Sequence, residues 1–374
     1  MKKHSTNKSA GADQILPANQ STKPLEPPAD AETLRPDPRG LLGDRPIDLQ
    51  VLRGLAEKSI LSVKDFDRKT VIELCRFAAL LEVMEIAPYH LLDGKIVITA
   101  FFEASTRTRT SFESATLRLD GKIISIPDAA ITGVKKGESL GDIGEMFNAY
   151  GDLVIMRHTE TDALDLIRRN LRIPLINAGN GAGEHPTQAL ADWYALLKWK
   201  PSLAAAKGKK RDRGLHLGIM GTPGSMRAVK SFLLMSLLFE ENFRRISVIS
   251  EMADPLGPEL RHDIEAAGIE FNESNSIAEL VSDLDVIYLN SIAHLGGSYH
   301  TLDSQNKLDG SSPLKKEAVV MHPLARLTEL DTSLDETDHN LYFAQAHGAV
   351  FVRQALLTAV FDRFDRLPDG IPLA

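Results

Sequence analysis

Residues 95–115, KIVITAFFEASTRTRTSFESA, read as a short apolar strand over 95–102, a polar turn, and the start of a helix. A strand that is apolar throughout, with no alternation, suits a parallel sheet covered on both faces. The same unit recurs downstream. Short apolar runs at 122–126 (KIISI), 152–156 (DLVIM), 173–177 (IPLIN), 215–220 (LHLGIM), 245–250 (RISVIS), 285–289 (DVIYL) and 318–321 (AVVM) are separated by helical stretches such as 187–197 and 226–239. The expectation is an α/β chain of two domains, each an open, mainly parallel sheet flanked by helices, with a further helix over 63–85 before the first strand.

At 374 residues, 43% hydrophobic and 25% charged, the chain falls in the size range where one core divides into two. Residues 1–45 are rich in Pro, Ser, Ala, Asp and Gly and poor in large apolar side chains, so a disordered extension is expected there. We place a first domain at 46–185, with a helix at 345–370 packing back on it, and a second domain at 186–344. The polar excursion KWKPSLAAAKGKKRDR (198–213) lies near the divide.

No run of about 18 apolar residues exists, so no segment reads as a membrane-spanning helix. The amino terminus, MKKHSTNKSAGADQ, lacks the apolar core of a secretory signal, and a cytoplasmic location is expected. A net charge of −8 without a long basic run argues against a general nucleic-acid surface. Any anion site must therefore be local and concave. The single cysteine, Cys75 in VIELCRFAALL, excludes an intrachain disulfide and a cysteine metal cluster, and reads as a small buried hydrophobe.

Ser105, Thr106, Arg107 and Thr108 fall at the amino terminus of the helix that follows the first strand. Unpaired N–H groups and the helix dipole attract an anion there. The hydroxyls can also donate, and Arg107 can fork two donors onto phosphate oxygens. Taken alone, the triplet is more often a cap followed by surface charge. Its context is specific, however: MRH at 156–158, NAGNGAGEHPTQAL at 177–190, MHPLAR at 321–326 and YFAQAHGAVFVRQALL at 342–357 follow in order.

Together these segments resemble the aspartate and ornithine carbamoyltransferase family, aspartate type more closely, over about residues 55–365. The resemblance implies that Ser105, Thr106, Arg107 and Thr108 hold the phosphate of carbamoyl phosphate. Arg157, His185 and Gln188 would then approach the carbamoyl group. Attack by an amine creates a tetrahedral oxyanion, so a Thr108 hydroxyl, the Arg157 guanidinium and a His185 N–H are the donors this chemistry needs. No metal or cofactor is expected, because phosphate is already a good leaving group.

The polar segment TGVKKGESL (132–140) reads as a loop able to close over a ligand. By the resemblance, Thr132 and Lys136 belong to the carbamoyl-phosphate site, with Lys136 lent by a neighbouring subunit of a homotrimer. Arg227 in GTPGSMRAVKS would bind the acceptor's carboxylate, with Lys136, Ser291 and Leu324 completing the acceptor set. Arg326 and Glu329 would form part of a domain-bridging network. A nucleotide loop is the competing reading of GTPGSMR, and it lacks both G-x-G-x-x-G and G-K-S/T.

The likeness breaks on the acceptor side. After DVIYL the family places an arginine and a glutamine that grip the aspartate side chain, whereas Ser291 and Ala293 stand here, and residues 290–306 contain neither Arg nor Lys. Losing a charge-assisted fork in a desolvated pocket costs roughly 2 to 4 kcal/mol, unless His294 or His300 substitutes. Ala325, Thr222 and His347 depart as well.

The expected function is carbamoyl transfer between carbamoyl phosphate and an amine or amide acceptor. The family default makes that acceptor aspartate, in pyrimidine synthesis. The alternatives are a ureido- or oxamate-type transcarbamoylase and a non-catalytic paralogue that partners an active enzyme. Ornithine is disfavoured because the cysteine-containing segment of that branch is missing.

Overall fold

The computed structural model describes residues 36–84, 90–205, 214–295, 298–301 and 306–368, with the backbone alone over 292–301. Three short or medium helices come first: α1 (Arg39–Leu42), α2 (Leu49–Arg53) and α3 (Arg68–Val83). The expected helix at 63–85 is a 3-10 turn at Val63–Asp65 followed by α3. Asp67 marks the new start, its carboxylate accepting from Thr70 N at 2.7 Å. Cys75 is fully buried on α3, as its apolar neighbours imply, and burial pushes its thiol pKa up.

Residues 36–45, assigned by composition to the disordered extension, are instead ordered at α1. Leu41 is buried there. Arg76 of α3, itself buried, donates to the carbonyls of Leu42 (2.6 Å), Arg45 and Pro46 (3.0 Å). A buried guanidinium must find acceptors, and the partner that orders this segment lies some thirty residues away, beyond the reach of local composition. The remainder of the expected tail, residues 1–35, lies outside the described residues.

The first sheet is parallel throughout, in the order β2 (Lys122–Ile126), β1 (Ile96–Phe101), β3 (Leu153–His158), β4 (Leu175–Asn180). Helices α4 (Thr106–Arg118), α5 (Leu140–Tyr150) and α6 (Ala163–Arg168) connect its strands. Central β1 is buried almost end to end and so is β4 at one edge, whereas β2 at the other edge is largely exposed. Helix α7 (Pro186–Trp199) leads out of this lobe.

The second sheet contains β5 (Leu215–Met220), β6 (Phe243–Ile249), β7 (Glu270–Ser274), β8 (Val286–Leu289) and β11 (Val319–Met321), parallel in the order β11-β8-β5-β6-β7. Helices α8 (Arg227–Leu237) and α9 (Gly257–Ala267) lie along it. An antiparallel hairpin, β9 (Ile292–Leu295) and β10 (Ser298–Thr301), separates β8 from β11. The fold class is thus as expected, two parallel-sheet lobes flanked by helices. β7 and the hairpin are additions.

Helix α10 (Tyr342–Val360) returns to the first lobe and packs on α3, α4 and α7. α7 also packs on α8, where Trp193 stacks on Phe239 with ring centroids 3.9 Å apart. One hydrophobic core therefore runs through both lobes. Among the described residues, no helix is long and apolar enough to cross a membrane.

Candidate active site

The helix start singled out by the sequence has the geometry of an anion cradle. Ser105 occupies the N-cap of α4 with extended backbone, yet its hydroxyl makes no capping bond, which leaves the first turn's N–H groups for an outside acceptor. Thr106 and Arg107 are exposed, while Thr108 is buried. Further along the turn, Thr110 donates to Thr106 O at 2.7 Å, keeping that hydroxyl occupied within the helix.

His185 is held by the loop that precedes α7. Asn177 Nδ2 donates to Leu61 O at 2.8 Å and its Oδ1 accepts from Gly179 N at 2.7 Å, while Asn180 Oδ1 accepts from Glu184 N at 3.0 Å. Glu184 then accepts from Ser62 Oγ (2.7 Å) and Val63 N (2.8 Å). Gly179 has φ +111°, and a Cβ there would meet Arg227 Nε at 2.9 Å and His185 Cδ2 at 3.3 Å. Only glycine allows both side chains to close over this turn. His185 is the N-cap of α7 and Pro186 opens the helix, where its missing N–H costs nothing.

The His185 backbone N–H donates to Ser231 Oγ at 2.8 Å, and Thr108 Oγ1 lies 3.4 Å from Nε2. Burial, followed by the charges of Arg157, Arg227 and Arg353, holds the imidazole pKa well below its usual value. His185 is thus a neutral ring near physiological pH. A neutral imidazole can still donate one N–H to a developing oxyanion.

Sequence reasoning missed the residue at the centre of the site. Glu103 accepts from Arg157 Nε at 2.9 Å and from Nη2, and from Arg227 Nη1 (2.8 Å) and Nη2 (2.6 Å). All three side chains are nearly buried. Arg157 ends β3 and Arg227 begins α8, so one carboxylate joins the two lobes. Glu103 stands directly before the ASTR turn, and two arginines predicted to share a pocket were the signal that a carboxylate between them was needed.

These groups line one cavity of about 770 Å³. It opens where the chain leaves β1, β3 and β4 of one sheet and β5, β8 and β11 of the other, the usual position for a ligand in parallel α/β sheets. Ser105, Thr106, Arg107, Thr108, Arg157, His185, Gln188, Arg227 and Leu324 all line it, as do Asn290, Gln345 and the buried Arg353. Arg353 rests 4.6 Å above the Phe112 ring and donates to Ser111.

Three residues of the expected set are not brought to this cavity within one chain. Thr132 caps the 3-10 turn Gly133–Lys136, and Lys136 is exposed. Ser291, buried at 4% exposure, faces a separate recess of about 20 Å³ shared with Ser250, Glu251, Asn290 and Asn306. The side chains of Ala293, His294 and His300 lie outside the described ones.

Arg326 and Glu329 do not bridge the domains. Arg326 pairs with Asp335 (2.7 Å to Oδ2), and Glu329 with His322 (2.8 Å) and Leu327 N (3.0 Å). Burial alone would raise the Glu329 pKa, but these bonds hold it at about 2. Glu329 braces the turn after β11 through His322 and Leu327, and Arg326 ties that segment to Asp335 at the end of the 3-10 turn Thr332–Leu334.

Two family models match the chain. One is described as the aspartate/ornithine carbamoyltransferase carbamoyl-P binding domain and matches residues 58–198; the other, the Asp/Orn binding domain, matches residues 213–360. The aspartate carbamoyltransferase catalytic subunit of Methanobrevibacter smithii is 35% identical over 308 residues, covering 80% of this chain and 93% of that one. That of Methanocaldococcus jannaschii is 32% identical over 313 residues, covering 82% and 98%. Among solved structures, the Trypanosoma cruzi aspartate transcarbamoylase in complex with carbamoyl phosphate superposes with a TM-score of 0.71 at 29% identity, covering 83% of this chain and 97% of that one.

Proposed function

The chain belongs to the aspartate/ornithine carbamoyltransferase family, and from that premise we propose that it moves a carbamoyl group between phosphate and a small amine or amide bearing one carboxylate. One observation carries this reading: Arg107, Thr108, Arg157, His185 and Arg227, from both lobes, meet in a single cavity.

Phosphate sits at the start of α4, between the hydroxyls of Ser105, Thr106 and Thr108 and the Arg107 guanidinium. The carbamoyl oxygen points to Thr108, Arg157 and neutral His185, and the acceptor nitrogen attacks the carbon between them. The new C–N bond forms with a tetrahedral oxyanion at the carbamoyl oxygen; as that collapses the C–O bond to phosphate breaks, and phosphate leaves with the electron pair and takes up the proton that the acceptor nitrogen gives up. The protein supplies orientation and charge stabilisation, and removing one such donor costs about 100-fold to 1,000-fold in turnover.

Arg227, which rests on Glu103 through both terminal nitrogens, exchanges that carboxylate for the acceptor's. No second cationic fork follows β8, since residues 290–306 lack Arg and Lys. Ser291 Oγ is buried there and, among the described residues, has no hydrogen-bond partner; Thr222 Oγ1 pairs with Ser250 Oγ at 2.9 Å. Surroundings that offer hydroxyls and the Glu251 carboxylate but no cation favour an acceptor whose remaining group is uncharged, such as a ureido or oxamate-type compound, over aspartate.

The working unit is a homotrimer in which Lys136 enters a neighbour's cavity. Its exposure supports this, as do the open edge of β2 and the exposed apolar side chains Ile124, Ile131, Met146 and Tyr150 on the same lobe.

The test is phosphate release from carbamoyl phosphate across a panel of amines, ureido compounds and aspartate. Turnover with an acceptor bearing a single carboxylate is expected. Activity with aspartate alone would refute the acceptor assignment, and neither turnover nor carbamoyl phosphate binding would leave a non-catalytic paralogue.

A further inference from the structure

Behind the cavity wall lies a carboxylate that touches no reacting atom. Asp192, on α7, is fully buried. Its Oδ1 accepts from Gln188 Nε2 at 2.7 Å and from Gln345 Nε2 at 2.5 Å, and its Oδ2 accepts from Tyr288 OH at 2.9 Å. The three donors come from α7, from α10 and from β8 of the second sheet. Gln188 and Gln345 both line the cavity.

An ionised carboxylate only accepts, so each amide must turn its nitrogen toward Asp192 and its oxygen away. Gln345 agrees with this independently, because its Oε1 accepts from His322 N at 3.1 Å. For Gln188 the same constraint leaves Oε1 as the end not engaged by Asp192. That end is an acceptor, the complement of a carbamoyl N–H.

We propose that Asp192 is a positioning residue for carbamoyl transfer: it holds the Gln188 amide in the orientation that accepts from the carbamoyl NH2, and ties that orientation to Gln345 and Tyr288. The assignment rests on the cavity being a carbamoyl-phosphate site.

The orientation also depends on pH. Burial pushes the Asp192 carboxyl up to about 7, against the pull of its hydrogen bonds and of the Arg353 charge. The groups facing it are Gln188 on its own helix, Gln345 and Arg353 on α10, and Tyr288 on β8, whose own pKa burial and Asp192 drive well above the usual range. On the other packed helices, Arg227 of α8 pairs with Glu103 and Glu82 of α3 with Lys198. A proton on Asp192 turns one acceptor oxygen into a donor, and an amide must then rotate or lose its bond.

The experiment compares two ligands by calorimetry: phosphonoacetamide, which presents both an anion and a carboxamide, and inorganic phosphate, which presents the anion alone. In Asp192→Asn, phosphonoacetamide affinity is expected to fall about tenfold or more, the size of one displaced hydrogen bond, with phosphate affinity unchanged. In a Gln188→Ala background the same substitution adds no further loss.

In the unsubstituted protein, the preference for phosphonoacetamide over phosphate weakens as pH falls through about 7 by more than the ligands' own ionisation accounts for, and Gln188→Ala abolishes that excess. This measurement needs no Asp192 variant to fold. Equal loss of both ligands, or additive loss in the Gln188→Ala background, overturns the positioning role. If the unsubstituted protein binds neither ligand, the carbamoyl-phosphate reading itself fails.

Discussion

Glu103 holds Arg227 through both terminal nitrogens of its guanidinium, at 2.8 and 2.6 Å, and the same carboxylate receives Arg157. Two cations in a nearly dry setting thus share one anion. The positive charge gathered there suits the proposed phosphate site, and both guanidiniums lean on the Glu103 carboxylate.

Replacing Glu103 by Gln therefore removes the carboxylate that two nearly buried guanidiniums share. We expect a loss of roughly 3 to 5 kcal/mol in unfolding free energy, as when one partner is removed from a buried pair. Carbamoyl phosphate should restore part of that loss by binding the native state. Urea denaturation with and without the ligand measures both effects, and an unchanged midpoint would contradict the shared-anion geometry.

Arg107 presents the opposite case. It is exposed at the cavity mouth, so Arg107→Ala should leave the thermal midpoint where it is. Carbamoyl phosphate affinity should fall at least about 100-fold with loss of the forked contact. Calorimetric titration checks this, and unchanged affinity would remove Arg107 from the phosphate cradle.

How far the sequence could be read follows from where each signal sits. The start of α4 was legible because Ser105 to Thr108 are consecutive, and a helix start is a local event. The His185 turn was legible because proline at its first helical position and the surrounding glycines punctuate the chain. Glu103 was visible but without a role, since its partners stand 54 and 124 residues away. β7 escaped because an edge strand reading EFNES has no apolar run. The ordering of residues 39–42 depends on Arg76, and no property of RGLL announces that.

His185 sets a stability prediction with a definite sign. Its pKa in the folded protein lies well below the ordinary 6.5, so below about pH 6.5 the unfolded chain takes a proton that the native ring refuses. Its contribution to stability therefore falls as pH drops through that window. Asp192 acts in the opposite sense, because its raised value lets the native state keep a proton that the unfolded chain has lost between about pH 4 and 7. His185→Gln should accordingly show a smaller drop in urea midpoint than the unsubstituted protein between about pH 6.5 and 5. Equal drops would mean that His185 is protonated in the folded state.

Lys136 decides whether the site is complete within one chain. It ends an exposed 3-10 turn that Thr132 caps through Val134 N (3.2 Å) and that Gly137 closes at φ +91°, and it does not line the cavity. If a neighbour supplies it, Lys136→Ala and His185→Ala each abolish turnover in homogeneous trimers. They spoil different halves of each shared site. Subunits of the two variants, separated in mild denaturant and reassembled in equal amounts, then form some sites with His185 from one chain and Lys136 from the next. Random mixing in a cyclic trimer makes about one site in four intact, so about a quarter of unsubstituted activity should return. No recovery, with reassembly verified by mass, would place all the working residues of each site within a single chain and remove Lys136 from a shared site.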